Sequence, residues 1–356
     1  MGVRGRGASA VAYADGAAHG ASDRDQGGNG HTGGTARPES PGRPPLGRLR
    51  RALLAVLIAG AVVVPLSAAA RPRIPAPRPA GLAPLSTVTL AGTYEANRAD
   101  AAEASRMAAA HGDRGRAEVD RALASPSRDL LAFDGRGGGR LIEVLGDLTA
   151  AEHIAVLVPG SDTTLDTYAR FRAGALALHR ATGPRTAVIA WLGYDTPRML
   201  STAALTTGRA ERGAHGLDRF LGELRSAVGP SPDLSLLCHS YGTVVCARAA
   251  ATADVQDIAL VGSPGTGADS AAALHTRARI WAARGDCDWI ADVPHVRTGL
   301  FGTAVGFGTD PVSPAYGARV FAAGGGGHSD YFAPGSVSLA NLARIVLGRA
   351  SEVTHA

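Results

Sequence analysis

The residue pattern is that of an α/β fold: a mostly parallel sheet of eight strands with helices on both faces, preceded by a short helical segment. Three features point to it. From Leu130 onward, short apolar runs alternate with stretches of helical periodicity. The run Leu234 to Cys238 is short and continuous enough to be a strand buried on both faces. The fifth run, Leu234 to Cys238, stops abruptly at His239-Ser240-Tyr241-Gly242, and Val244, Val245, Ala247 and Ala250 then recur at helical spacing. That stretch reads as strand, sharp turn, helix.

From the N-terminus, residues 1–47 are rich in Gly, Ala, Ser, Asp and Pro with almost no large apolar side chains, so they are expected to be a disordered tail. Residues 48–70 combine a charged entry at Arg48, Arg50 and Arg51, an apolar stretch over 52–70 and the small-residue exit Ala68-Ala69-Ala70. This is the pattern of a signal peptide, or of a membrane anchor if it is not cleaved. Pro65 shortens the best helix and favours cleavage, and the arginines before the segment favour export of the residues after it. The expected localisation is extracytoplasmic, secreted or anchored by residues 52–70.

Residues 71–84 form a proline-rich linker. Residues 85–128 form a helical segment in which Tyr94 to Ala124 reads as two helices broken near Gly112. The folded domain then spans 129–350. Its strands are expected at Leu130 to Phe133, Leu141 to Leu145, Ile154 to Val158, Ala187 to Trp191, Leu234 to Cys238, Ile258 to Val261, Ala278 to Ala282 and Ala318 to Phe321. Helices are expected near Asp166 to Arg180, Leu217 to Val228, Tyr241 to Ala251 and Ser338 to Leu347. Asp134-Gly-Arg-Gly-Gly-Gly joins the first two strands as a hairpin.

The pI of about 9.5 suggests anionic partners until the charge is located. Through Ala80 there are 11 arginines against 4 acidic residues, which leaves 25 basic and 27 acidic residues in the remainder. The folded part is close to neutral and carries no basic stripe with interleaved aromatics, so no nucleic-acid partner is expected. Cys238, Cys246 and Cys287 form no zinc-ligand spacing. A Cys238–Cys287 bridge is conceivable because both lie at strand ends, but small buried side chains are the simpler reading.

A serine on a tight turn between strand and helix has its hydroxyl lifted above the sheet, with helix amides directed at developing negative charge. Ser240 holds that place, although Cys238 stands where the usual G-x-S-x-G pattern has its first glycine. Eight strands with this turn after the fifth is the order of an alpha/beta-hydrolase, and partners for the serine are sought at the carboxyl ends of the strands. Val158-Pro159-Gly160-Ser161 ends the third strand, and the backbone amides of Tyr241 and Ser161 are the expected oxyanion-hole pair. After the seventh strand the orienting carboxylate is expected at Asp288, with Asp286 and Asp292 as alternatives. The base is expected at His328, on the loop Gly324-Gly-Gly-Gly-His328, with His295 and His355 as rivals and His239 in a packing role or a supporting one around the triad.

His239-Ser-Tyr-Gly242, Val158-Pro-Gly160, Trp191-Leu-Gly-Tyr-Asp-Thr-Pro197, Val261-Gly-Ser-Pro-Gly265, Asp288-Trp-Ile290 and Gly327-His-Ser-Asp-Tyr-Phe332 are all present. Together they resemble an alpha/beta-hydrolase family of GC-rich bacteria catalogued largely as a domain of unknown function. The resemblance covers roughly Leu130 to Gly348. It implies a serine hydrolase with Ser240, Asp288 and His328 in the triad positions and implies no substrate. The Trp191 to Pro197 block is expected to form one wall of the cleft, with Asp195 either binding substrate or stabilising its loop. Thr298 to Gly317, with Phe301, Phe307 and Tyr316, is either a cover for the site or an ordinary long connection.

The expected chemistry is hydrolysis of an ester-type acyl bond through an acyl-enzyme, with a small-molecule or lipid-like acyl ester as substrate. No metal or organic cofactor is required. Membrane contact is expected only through the N-terminal apolar segment, and nothing in the sequence sets the oligomeric state. The alternatives are an inactive binding or scaffold protein on a hydrolase fold, or a peptidase or acyltransferase using the same triad.

Overall fold

Near-continuous apolar strands dictate a sheet with both faces covered, and the architecture is built on that requirement. The computed structural model describes residues 74–356 except 296–297 and 301–302, with side chains described outside residue 202 and residues 296–305. The expected tail, signal segment and Phe301 lie outside the described residues. Residues Pro72–Ala356 group as one unit.

Two helices lead in, α1 (Leu90–Ala110) and α2 (Arg114–Leu123). Asp113 caps α2 by accepting a hydrogen bond from the Arg116 amide, which is why the helix restarts directly after Gly112. The helices are tied to the strand after them: the Asn97 amide donates to Leu130 O at 3.0 Å, and the buried Arg116 donates to Gly135 O and to Asp166.

The eight-stranded sheet is built from β1 (Asp129–Asp134), β2 (Arg140–Leu145), β3 (His153–Val158), β4 (Thr186–Leu192), β5 (Asp233–His239), β6 (Asp257–Val261) and β7 (Arg279–Ala283), then β10 (Arg319–Val320). A separate ribbon, β8 (Thr298–Leu300) and β9 (Thr303–Val305), lies between β7 and β10 in the chain. The sheet order is β1-β2-β4-β3-β5-β6-β7-β10. Strand β2 runs antiparallel to both of its neighbours, and all other pairs are parallel. The last strand is shorter than expected, and Phe321 after it donates to Ala282 O of β7 and forms an antiparallel bridge with His355.

Helices α3 (Tyr168–Thr182) and α6 (Val337–Val346) cover one face, and α4 (Gly208–Val228) and α5 (Gly242–Ala249) cover the other. Alternate residues of each strand serve the two faces: Ile154, Val156 and Val158 point into one core, and Ala155 and Leu157 into the other. Helix α4 begins at Gly208, well before the Leu217 start that its apolar pattern suggests. Its first turns pass over Tyr194 and over Tyr241, and the Tyr241 hydroxyl accepts from the Ala210 amide. Helix α3 is pinned to the sheet by Glu143 of β2, which accepts from Arg128, Tyr168 and Arg172. A charge so deeply placed is tolerable because its lone pairs are used.

Candidate active site

Strand β5 and helix α5 meet at Ser240, whose backbone is held at φ 53°, the left-handed region that non-glycine residues rarely enter. The strain is locked from both sides: the Ser240 amide donates to Val261 O at 3.0 Å, and the Thr243 hydroxyl donates to Ser240 O at 2.7 Å. Cys238, two residues before the serine, is disulfide-bonded to Cys246 on α5. Glycine is usual at that position because strand and helix crowd there. Here the space is filled by the bridge itself, and Cys287 is the free, exposed cysteine.

The loop after β3 passes equally close. A Cβ at Gly160 would lie 2.6 Å from the Ser240 Cβ, so only glycine fits. Ser161 comes next and lines the same cavity as Ser240. Among the described residues, no hydrogen bond engages the backbone N–H of Tyr241 or of Ser161. The Trp191 to Pro197 block does not line this cavity. It buttresses the β3 loop from behind, with Tyr194 Oη donating to Pro159 O, Pro197 O accepting from the Asp162 amide and Thr196 donating to Thr163 O. Asp195 points away to an exposed ion pair with Arg140.

Asp288 and His328 complete a hydrogen-bonded chain with the serine. His328 Nε2 lies 2.9 Å from Ser240 Oγ, and Nδ1 lies 2.8 Å from Asp288 Oδ1. All three residues are buried, at 8%, 9% and 3% exposure for Ser240, His328 and Asp288. Burial alone would raise the Asp288 carboxyl, but hydrogen bonds from His328, Tyr331 and the Ile290 amide outweigh it and hold the group below the usual carboxylate range. An ionised carboxylate only accepts, so His328 carries its proton on Nδ1 and leaves Nε2 free to accept from the serine hydroxyl.

The alternatives fall elsewhere. Asp286 and Asp292 are exposed, His295 stands near Ser263 O and Asp310, and His355 reaches Val320 O. Phe307 packs edge-on against Tyr241 and Tyr316 meets Thr266 in the interior, so neither covers the cavity.

Tyr331 and Trp289 were not assigned to this chain from the sequence, whereas His239 lies in the packing or supporting position expected of it. Tyr331 Oη donates to Asp288 Oδ2 at 2.5 Å and accepts from the Gly285 amide. His239 donates through Nε2 to His328 O at 2.7 Å, and burial, with the nearby His328 ring, lowers its pKa to about 4. Trp289 sets its half-exposed ring 4.6 Å from that of His328. The motif Gly327-His-Ser-Asp-Tyr contained Tyr331, but nothing in its spacing aims a tyrosine at a carboxylate 43 residues upstream.

The cavity at Ser240 measures about 860 Å³ and is lined by the loop after β3, by α3 and by the loop after His328. Residues 134–298 match the family model described as Alpha/beta hydrolase, a span that includes Ser240 and Asp288. With the strand order and the serine turn after β5, that match decides the architecture. This is an alpha/beta-hydrolase fold. The chain is also 31% identical over 258 residues to the uncharacterized protein Rv2079 of Mycobacterium tuberculosis, covering 62% of this chain and 38% of that one. It is 31% identical over 168 residues to the uncharacterized protein Mb0988c of Mycobacterium bovis, covering 42% of this chain and 63% of that one. The chain thus spans less than two thirds of the length of these relatives. Among solved structures with the hydrolase fold it is similar to esterase PE8, at 19% identity and a TM-score of 0.39 over 58% of this chain and 96% of that one. It is also similar to XC6422 of Xanthomonas campestris, described as an a/b serine hydrolase without lid, at 16% identity and a TM-score of 0.41 over 63% of this chain and 95% of that one.

Proposed function

We propose that the protein is an exported serine hydrolase that cleaves an ester-type acyl bond through an acyl-enzyme. The observation that carries this reading is the continuous chain Asp288–His328–Ser240, with both histidine nitrogens at hydrogen-bonding distance and the serine opening into a cavity. In the first step Ser240 Oγ bonds to the acyl carbon as its proton passes to His328 Nε2; Asp288 stabilises the imidazolium that forms. The tetrahedral oxyanion is received by the amides of Tyr241 and Ser161. The bond to the leaving alkoxide then breaks, and His328 returns the proton to it as an alcohol. Water repeats the sequence on the acyl-enzyme, giving a carboxylic acid and free Ser240.

Export is supported by the Cys238–Cys246 bridge, since disulfides form and persist in oxidising compartments. The Arg-flanked apolar stretch 52–70 supports it independently.

The test is labelling with a biotinylated fluorophosphonate, in which Ser240 Oγ would bond to phosphorus and fluoride would leave. The expected result is one adduct on the peptide containing Ser240 and none in Ser240→Ala. A wild-type protein that is folded and remains unlabelled would overturn the reading.

A further inference from the structure

Parallel strands send the loops that follow them out of one edge of the sheet, and the strand order sets the spacing of those loops. The order β4-β3-β5-β6-β7 puts the loops after β4 and β7 on either side of Ser240, four strand spacings or about 19 Å apart. The loop after β4 carries Met199, Leu200 and Leu205, and the loop after β7 carries Trp289, all exposed. Val337, which starts α6 beyond β10, is exposed beside Gly324 at the same edge. These are five of the seven large apolar side chains exposed among the described residues, so exposure of this kind is concentrated around the nucleophile. Val88 marks the contrast. Asn97 of α1 meets Leu130 at the start of β1, and Ala104 approaches Gly135 just past its end, so α1 runs alongside β1 and Val88, ahead of the helix, lies towards the opposite edge.

The chain also enters the body at the active-site edge. Strand β2 is antiparallel to both β1 and β4, so the turn between β1 and β2 shares that edge with the loop after β4. Ala76 packs at Gly135 of this turn, and Pro79 lines a hollow with Asp134, Arg140 and Gly193. The apolar stretch 52–70 ends four residues before Ile74, a span of at most about 14 Å of extended chain.

We infer that this edge docks on a lipid bilayer, with Leu200 and Trp289 entering the membrane surface on either side of Ser240. The choice of a bilayer rests on residues 52–70 serving as an anchor, the alternative to cleavage, since a membrane that holds them is within reach of this edge. Apolar side chains that project singly from separate loops suit a fluid surface, which closes around each of them. A tryptophan with one face towards the protein and one towards solvent suits the boundary between headgroups and acyl chains. The inference goes beyond the hydrolase reading and does not depend on it.

The experiment reconstitutes the full chain in phosphatidylcholine vesicles, with and without bromine on the acyl chains, and reads tryptophan fluorescence. Trp191 and Trp281 are buried, so the emission open to lipid is that of Trp289, and Trp289→Phe confirms the assignment by losing the response. The expected result is quenching by the brominated lipid. Leu200 is 100% exposed and holds nothing in the core, so Leu200→Asp keeps the fold. In that variant the ratio of docked to undocked protein should fall at least about tenfold. Val88→Asp should match the wild type. A folded protein that does not associate with the vesicles, or that associates without quenching of Trp289, would overturn the docking. Equal quenching in Leu200→Asp, or an equal loss in Val88→Asp, would overturn it as well. Fluorophosphonate labelling of Ser240 is read separately, so failure of the docking leaves the hydrolase reading in place.

Discussion

The hydroxyl of Tyr331 donates to Asp288 Oδ2 while the other carboxylate oxygen of Asp288 accepts from His328. The carboxylate is therefore gripped on both sides, and its plane, which sets the plane of the imidazole, cannot rotate without breaking a buried hydrogen bond. Tyr331 also accepts from the Gly285 amide, which fixes the loop carrying the carboxylate to the loop carrying the histidine. Tyr331→Phe removes a hydrogen bond to a charged group, of about 1.5–3 kcal/mol. The expected outcome is a fall of roughly tenfold or more in kcat with little change in KM, checked by ester turnover, together with a melting temperature lowered by several degrees.

Gly262 lies just after β6 with φ 57°, and a Cβ there would lie 2.9 Å from the Tyr331 ring, 3.0 Å from Asp288 Oδ2 and 3.2 Å from His328 Nδ1. Gly262→Ala should push the carboxylate and the imidazole apart. Loss of general-base alignment would lower kcat/KM by about a hundredfold or more, measured beside a circular dichroism spectrum that remains native.

The Cys238–Cys246 bridge closes a short loop that contains the nucleophile. Cys238→Ala/Cys246→Ala should cost about 2–3 kcal/mol of stability by the chain-entropy relation. Urea midpoints of the two proteins check it. The double variant should also label more slowly with fluorophosphonate, because the left-handed backbone of Ser240 loses a brace.

His239 is held neutral, with a pKa lowered from 6.5 to about 4 by burial and by the neighbouring His328. Between those two values the unfolded chain binds a proton that the folded chain does not, so acidification through this window favours unfolding. Stability from this group is complete above pH 6.5 and declines as the pH falls towards 4. His239→Asn should flatten that decline, measured as the difference in urea midpoint between about pH 7 and pH 4.5.

Most of the sheet was readable in the sequence because strands buried on both faces leave little room for polar residues. Ile154 to Val158 and Ala187 to Trp191 could hardly be anything else. Ser240 and His328 were findable because each occupies a place, a strand-to-helix turn and a glycine-rich loop, that exposes a side chain over the sheet. What escaped depends on contacts between distant segments. The disulfide partner of Cys238 lies eight residues on, across a strand, a turn and a helix, a separation with no periodicity to read. The Trp191 to Pro197 block was expected in the wall of the cleft and instead supports the β3 loop from behind, through hydrogen bonds to Pro159, Asp162 and Thr163 that no local pattern encodes. The start of α4 at Gly208 was hidden by glycine and charge in Gly208 to Gly216, where packing on Tyr194 and Tyr241 overrides helix propensity.

Under the proposed mechanism Ser240 attacks an acyl carbon while His328 takes its proton. That step is tested by kcat/KM for a p-nitrophenyl ester in wild type and in Ser240→Ala, each shown to be folded by thermal melting. The expected loss in the variant is about 10⁴- to 10⁶-fold. Turnover in Ser240→Ala within about tenfold of wild type would be incompatible with a serine nucleophile.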